Sequence, residues 1–216
     1  MPRARVQHRH LPRRAPWTCS RRAPPATRTG RSRAPHPTLG EAGEELDLSG
    51  AHLSYGDFEE ATFQARKTIK LNGAGLAHAD LSGSEIFTFN SGSSGPGAAT
   101  ITFAKANLAH ADLSGSEITA DGGYYGGTID FTEANLASAD LSGSELTAKR
   151  GGGDFGTYTT TIDFTKADLT NADLRGSEIT ADGEYGTIDF TEATLDNADT
   201  DGVTLAADRI IGFPQP

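Results

Sequence analysis

Ten carboxylates recur in this chain at fixed intervals. Asp57, Asp80, Asp112, Asp140, Asp173 and Asp199 each precede a position that is apolar in all but the last case, and together they form one series. Glu85, Glu117, Glu145 and Glu178 form the next, with Thr62 and Thr204 at its two ends. Like charges held in a row repel, which raises some carboxylate pKa values or draws in cations. The two rows are therefore a candidate surface for a basic partner, or a plain solvated face. A second set is aromatic: Tyr124, Tyr125, Phe155, Tyr158 and Tyr185 lie in Gly-rich stretches. Aromatic side chains on loops favour recognition, so these are candidate binding residues unless the stretches are flexible decoration. His78 and His110 share a third recurring place, but two imidazoles with no fixed third ligand make a poor metal site. The chain has no twelve-residue calcium loop, no G-x-S-x-G elbow and no G-x-x-x-x-G-K-S/T phosphate loop. These residues point to no enzyme, no catalytic residue, no cofactor and no bound metal.

A repeat places these residues. From Phe103 the sequence reads F-AKAN-L-AHAD-L-SGSE-I, setting Phe103, Leu108, Leu113 and Ile118 five residues apart. The same block returns as Phe131, Leu136, Leu141 and Leu146, as Phe164, Leu169, Leu174 and Ile179, and as Phe190, Leu195, Thr200 and Leu205. Upstream it reads Leu71, Leu76, Leu81 and Ile86, and before that Leu48, Leu53, Phe58 and Phe63. Of these 24 centres, 23 are Leu, Ile or Phe, and Thr200 is the exception. Two residues before each centre the chain is mostly small, as at Ala106, Ala111 and Ser116. At the first centre of each block that position is instead Leu46, Ile69, Ile101, Ile129, Ile162 or Ile188. Side chains two apart share a face only in extended chain. A period of five then fits a short extended stretch followed by a tight turn, with four corners closing a coil. Gly83, Gly115, Gly143, Gly176 and Gly202, two after the third centre, suit a turn that needs positive φ. The buried column Ser84, Ser116, Ser144 and Ser177 must find partners for its hydroxyls, from backbone or from one another.

The units A-N-L-A-H, A-D-L-S-G, A-N-L-A-S, A-D-L-T-N and A-D-L-R-G resemble the A-(D/N)-L-x-x pattern of pentapeptide repeat proteins, over roughly residues 46–205. The resemblance implies an all-β fold, a right-handed quadrilateral β-helix with the centres inside. Six coils stacked at about 4.8 Å would make about 29 Å of helix. The resemblance also brings a functional alternative. Some members of that family mimic duplex DNA and bind DNA gyrase or a related type II topoisomerase, a role the acidic rows would suit. It implies further that the C-terminal end is a dimer surface, with Ile210, Ile211 and Phe213 covering the last coil or pairing two chains.

The spacing between blocks exceeds five, by three residues after Phe63, twelve after Ile86, eight after Ile118, thirteen after Leu146 and six after Ile179. All these insertions fall at one corner. Thr or Ile, then Gly-rich sequence, then T-I-D-F reads as a β-hairpin, and stacked hairpins would make a side sheet. Charge divides the chain in another way. Of its 19 basic residues, ten are arginines within residues 1–40, which hold no acid; nine remain against all 29 acids in residues 41–216. Seven of the ten prolines and the single Cys19 also lie in the first forty residues. The organisation expected is a disordered basic tail over 1–40, the β-helix over 41–205, and a C-terminal cap or tail over 206–216. The tail reads as a transit peptide, a nucleic-acid-binding arm or a start placed too far upstream. One cysteine excludes a disulfide scaffold, and the lack of a long apolar run excludes a membrane-spanning helix. The function expected is a non-enzymatic protein-binding or scaffold module in the cytoplasm. Its partner would be a protein, with a basic DNA-binding surface in the sharper reading, and the body itself would bind neither nucleic acid nor membrane.

Overall fold

The computed structural model describes residues 37–40, 43–90, 98–150 and 158–214. Phe155 and residues 1–36 lie outside them, so the expectation for that aromatic and for most of the tail falls outside the described residues; the end of the expected tail is ordered instead, with Thr38 and Leu39 paired to Thr62 and Phe63 because the extended chain there finds an open strand edge.

Among the described residues fourteen short strands build two parallel sheets. On what we term the first face, β2 (Glu45–Asp47), β4 (Thr68–Lys70), β6 (Ala99–Thr102), β8 (Gly127–Asp130), β10 (Thr161–Asp163), β12 (Thr187–Asp189) and β14 (Arg209–Ile211) stack in sequence order. The fourth face stacks β1 (Thr38–Leu39), β3 (Thr62–Ala65), β5 (Glu85–Phe89), β7 (Glu117–Asp121), β9 (Glu145–Lys149), β11 (Glu178–Ala181) and β13 (Thr204–Ala206). Between them run two ladders of single parallel bridges. The second face joins His52, Gly75, Asn107, Asn135, Asp168 and Thr194, and the third joins Asp57, Asp80, Asp112, Asp140, Asp173 and Asp199. Four sides per turn, all parallel, make a right-handed quadrilateral β-helix.

The period of five follows from the corner. The carbonyl of each centre on the first three faces accepts the amide three residues on, as in Ala106 N to Phe103 O at 2.8 Å and Ala111 N to Leu108 O at 2.9 Å. The residue between, two past the centre, has positive φ: Gly115 at 61°, but also His110 at 57°, Lys105 at 59° and Asn171 at 55°. That is the geometry of a type II turn. For residues with a Cβ it costs about 1 kcal/mol or more each, and the ladders on both sides hold it in place.

Inside, columns of like residues stack. Phe103, Phe131, Phe164 and Phe190 lie face over face at 4.8, 5.0 and 4.7 Å, within 4° of parallel. Every centre from Phe63 to Phe190 is buried. The ends are less covered: Leu48, Leu53 and Phe58, then Leu195 and Leu205, are only partly buried.

Among the described residues no insertion folds as a hairpin, and every strand pair is parallel. β7 is bonded to β5 and β9 rather than folding back on β8, with Ala120 opposite Thr88 on one side and Ala148 on the other. The fourth-face strands run past the corner and the first-face strands begin early, so each coil widens into a lobe. A hairpin would need antiparallel bonds within one insertion. The neighbouring coils offer each strand two in-register partners instead, and the same short extensions satisfy both. The lobe is thin. A Cβ on Gly127 would lie 1.8 Å from the Ala120 carbonyl oxygen, and one on Gly186 would lie 2.0 Å from that of Ala181. Only glycine lets the two sheets close there.

Candidate functional site

The third-face carboxylates sit where the sequence puts them, but they are occupied. Oδ1 of Asp112 accepts the Ser114 amide at 3.0 Å and its hydroxyl at 2.6 Å. Asp80 does the same with Ser82, at 3.1 and 2.6 Å. Asp140 takes the Ser142 amide at 2.9 Å, Asp173 that of Arg175 at 3.0 Å, Asp199 that of Asp201 at 3.1 Å, and Asp57 that of Glu59 at 3.4 Å. Each is an Asx turn that buttresses the corner following it. The device recurs on other faces, through Asn107, Asn135 and Asp168 on the second and Asp130, Asp163 and Asp189 on the first. Part of each carboxylate is thus turned to structure.

Nor does charge accumulate unrelieved along this row. Arg175 grips Asp173 through Nε and Nη2 and reaches Asp199 at 3.4 Å. Its side-chain hydrogen bonds hold the Asp173 carboxyl below the usual carboxylate range, against the desolvation that would raise it. The expected upward shift is therefore reversed at this member of the row, because the Arg175 hydrogen bonds to Asp173 outweigh the desolvation.

The fourth-face carboxylates behave differently. Glu85, Glu117, Glu145 and Glu178 lie in strict register on adjacent strands, and all are exposed. None of the four takes part in an ion pair among the described residues. Glu145 accepts the Thr147 hydroxyl at 3.1 Å and Glu117 that of Thr119 at 3.4 Å. On the first face Lys105 meets Glu133 at 3.7 Å and Lys166 meets Glu192 at 3.8 Å, exposed pairs of small net value.

The aromatic set is scattered along the lobe. Tyr124 is 53% exposed and Tyr185 45%. Tyr125 packs edge-on against Tyr158, ring centres 5.0 Å apart. Phe87 and Phe89, on β5, form a further tilted pair at 6.0 Å that the sequence did not single out. His78 and His110 stack at 4.8 Å, and Tyr55 stacks on His78 at the same distance. Face-to-face rings do not turn their nitrogens toward one point, and no group of three potential metal ligands occurs among the described residues. The interior serines depart from expectation. Ser84, Ser116, Ser144 and Ser177 are buried with no partner for any hydroxyl among the described residues. Coils spaced about 4.8 Å apart hold successive serines beyond the roughly 2.8 Å at which hydroxyls bond.

Five-residue corners, four to a coil, with small residues beside apolar centres, decide the architecture. The fold is that of the pentapeptide repeat proteins. No family model matches the chain, and no curated protein does. Solved structures do. A pentapeptide repeat protein from the thylakoid lumen of Arabidopsis thaliana is 22% identical over 70% of this chain and 66% of its own, with a TM-score of 0.16. This chain thus spans slightly less than two thirds of that protein. Rfr23, a pentapeptide repeat protein of the cyanobacterium Cyanothece 51142, is 17% identical over 82% of this chain and 89% of its own, TM-score 0.16. QnrB1, a plasmid-mediated fluoroquinolone resistance protein, is 20% identical over 76% and 92%, TM-score 0.18. The pentapeptide-repeat fold here stands on the register of its own coils.

Proposed function

We propose that this pentapeptide-repeat β-helix is a non-enzymatic protein-binding module, acting in the cytoplasm, whose contact surface is the fourth face. The observation that carries the reading is the row Glu85, Glu117, Glu145 and Glu178: in register, exposed and without a cation partner among the described residues. Four aligned carboxylates at about 4.8 Å intervals give a one-signed edge that steers a basic surface into place. The aromatics of the lobe, Tyr124 and Tyr185 above all, stand beyond the same corner.

Mimicry of DNA toward gyrase or a related type II topoisomerase is the narrower form of this reading. The third and fourth rows together supply one charge per about 2.4 Å of helix axis, against about 1.7 Å in duplex DNA. Two features weigh on it. The third-face carboxylates are partly used in Asx turns, and the lobe widens the helix beside the glutamates. A supercoiling assay with the full chain separates the forms. Inhibition that weakens in Glu117→Gln/Glu145→Gln supports mimicry. Retained binding to basic protein surfaces without inhibition leaves the broader module. A double variant that binds basic partners as tightly as the parent would remove the fourth face from both.

A further inference from the structure

The β-helix does not end flush. At its N-terminal end β1 adds one strand to the fourth face alone, Thr38 opposite Thr62 and Leu39 opposite Phe63. At its C-terminal end β14 adds one strand to the first face alone, with Arg209, Ile210 and Ile211 opposite Thr187, Ile188 and Asp189. Gly212 falls opposite the centre Phe190, and Phe213, one residue on, tilts its ring over that of Phe190 at 5.0 Å. Each end is therefore a half-coil step, and the steps lie on opposite sheets. Among the described residues one sheet edge is left open at either end, β2 or β13, and it is the edge the other end's extra strand would meet.

Continuing the register across such a contact fixes its residues. β13 of one copy would lie beside β1 of the next, Thr204 opposite Thr38 and Leu205 opposite Leu39. β14 would lie beside β2, with Arg209 opposite Glu45, Ile210 opposite Leu46 and Ile211 opposite Asp47. The match is chemical as well as geometric. Ile210 is 41% exposed, large and apolar, and Leu46 is only partly buried. Arg209 is exposed and makes no ion pair among the described residues. Glu45 is exposed too, and gives one carboxylate oxygen to Lys70 at 2.8 Å, keeping the other for a second cation. Thr over Thr, Leu over Leu and Arg over Glu are favourable cross-strand neighbours.

We propose that copies of this chain join head to tail, the C-terminal step of one completing the N-terminal step of the next through β14 on β2 and β13 on β1. Such a joint is heterologous. It leaves a fresh step at each end, so assembly continues beyond a dimer. On the second and third faces the joined copies stay one coil apart, so the two sheets carry the contact.

Sedimentation equilibrium on the full chain tests this. The weight-average mass is expected to climb with concentration past twice the 22.6 kDa of the monomer. A mass that stays monomeric, or that levels off at a dimer, overturns the proposal. Arg209→Glu and Glu45→Arg each place like charges at the joint and are expected to raise the concentration needed for assembly about tenfold. Both sites are exposed, so the fold persists in either variant, with the circular dichroism spectrum as the check. Mixing the two variants pairs Glu with Arg at every joint and is expected to restore assembly. A mixture that assembles no better than either variant alone also overturns the proposal, and would point instead to a two-fold contact.

Discussion

On the third face the carboxylate before each centre is tied to the corner that follows it, while on the fourth the carboxylate in the matching position reaches outward with no cation beside it. The difference comes from one methylene and from what the backbone does next. Aspartate is short enough for Oδ1 to meet the amide two residues on, and the third face turns at once, bringing that amide round. The fourth-face strand instead runs straight into the lobe, so a glutamate there is offered no such amide. The inner side differs in the same sense. Ala79, Ala111, Ala139 and Ala172 line the third face, where the fourth has the unpartnered Ser84, Ser116, Ser144 and Ser177. One face has its polar groups matched; the other carries unmatched groups inside and outside.

The largest effect expected from breaking this contrast is on the third face. Asp112→Ala removes acceptors for both the amide and the hydroxyl of Ser114, and should cost about 2 kcal/mol, read from urea unfolding. Asp112→Asn should stay within about 0.5 kcal/mol of the parent, because an Asn side chain can make the same turn. If both substitutions were equally harmless, the aspartate row would have no structural role.

Next is the inner side of the fourth face. Ser144→Ala removes a buried hydroxyl that has no partner, and should stabilise by about 1 kcal/mol. Combined with Ser116→Ala the gain should grow, because each coil contributes to the stack. Loss of stability would mean that these hydroxyls are satisfied. Smaller again is the outer side. Glu117→Gln should change the urea midpoint little or raise it slightly, by about 0.5 kcal/mol at most, since it relieves like charge in a row, while weakening any basic partner.

The smallest effect lies in acid. Asp173 has its pKa lowered in the folded chain by Arg175. Its contribution is therefore present above the unfolded carboxylate value of about 3.9, and is lost as pH falls through the lower folded value. Melting temperatures of the parent and Arg175→Ala should differ by a constant small amount above about pH 5 and converge in stronger acid. A gap that widened with acid would reverse the sign of this coupling.

Much of this was legible in sequence. The 24 centres gave the four-sided coil, the inner columns and the positions of both carboxylate rows, because a period of five leaves few other foldings. What the rows do was not legible. Asp and Glu look alike as charges, and only the corner shows that one of them reaches a backbone amide. The hairpin expectation failed for a related reason. Strand, glycines, strand is the pattern of a hairpin, but it is equally that of two short strands that each find partners in the coils on either side. The half-coil ends were hidden because T-L-G and R-I-I-G-F each hold too little of the repeat to stand out. Their place in the columns of Leu39 with Phe63, and of Ile210 with Ile188, appears only in register.

The widened corner has one more consequence. Insertions of three, twelve, eight, thirteen and six residues enter there, yet Ile69, Ile101, Ile129, Ile162 and Ile188 remain aligned on one side and Ile86, Ile118, Leu146 and Ile179 on the other. The corner works as an expansion joint: it absorbs changes of length that would turn the side chains of any other stretch to the wrong face. Foreign peptides spliced at this corner would leave the coil intact and hang from it at regular intervals, which makes the molecule a ready-made display frame.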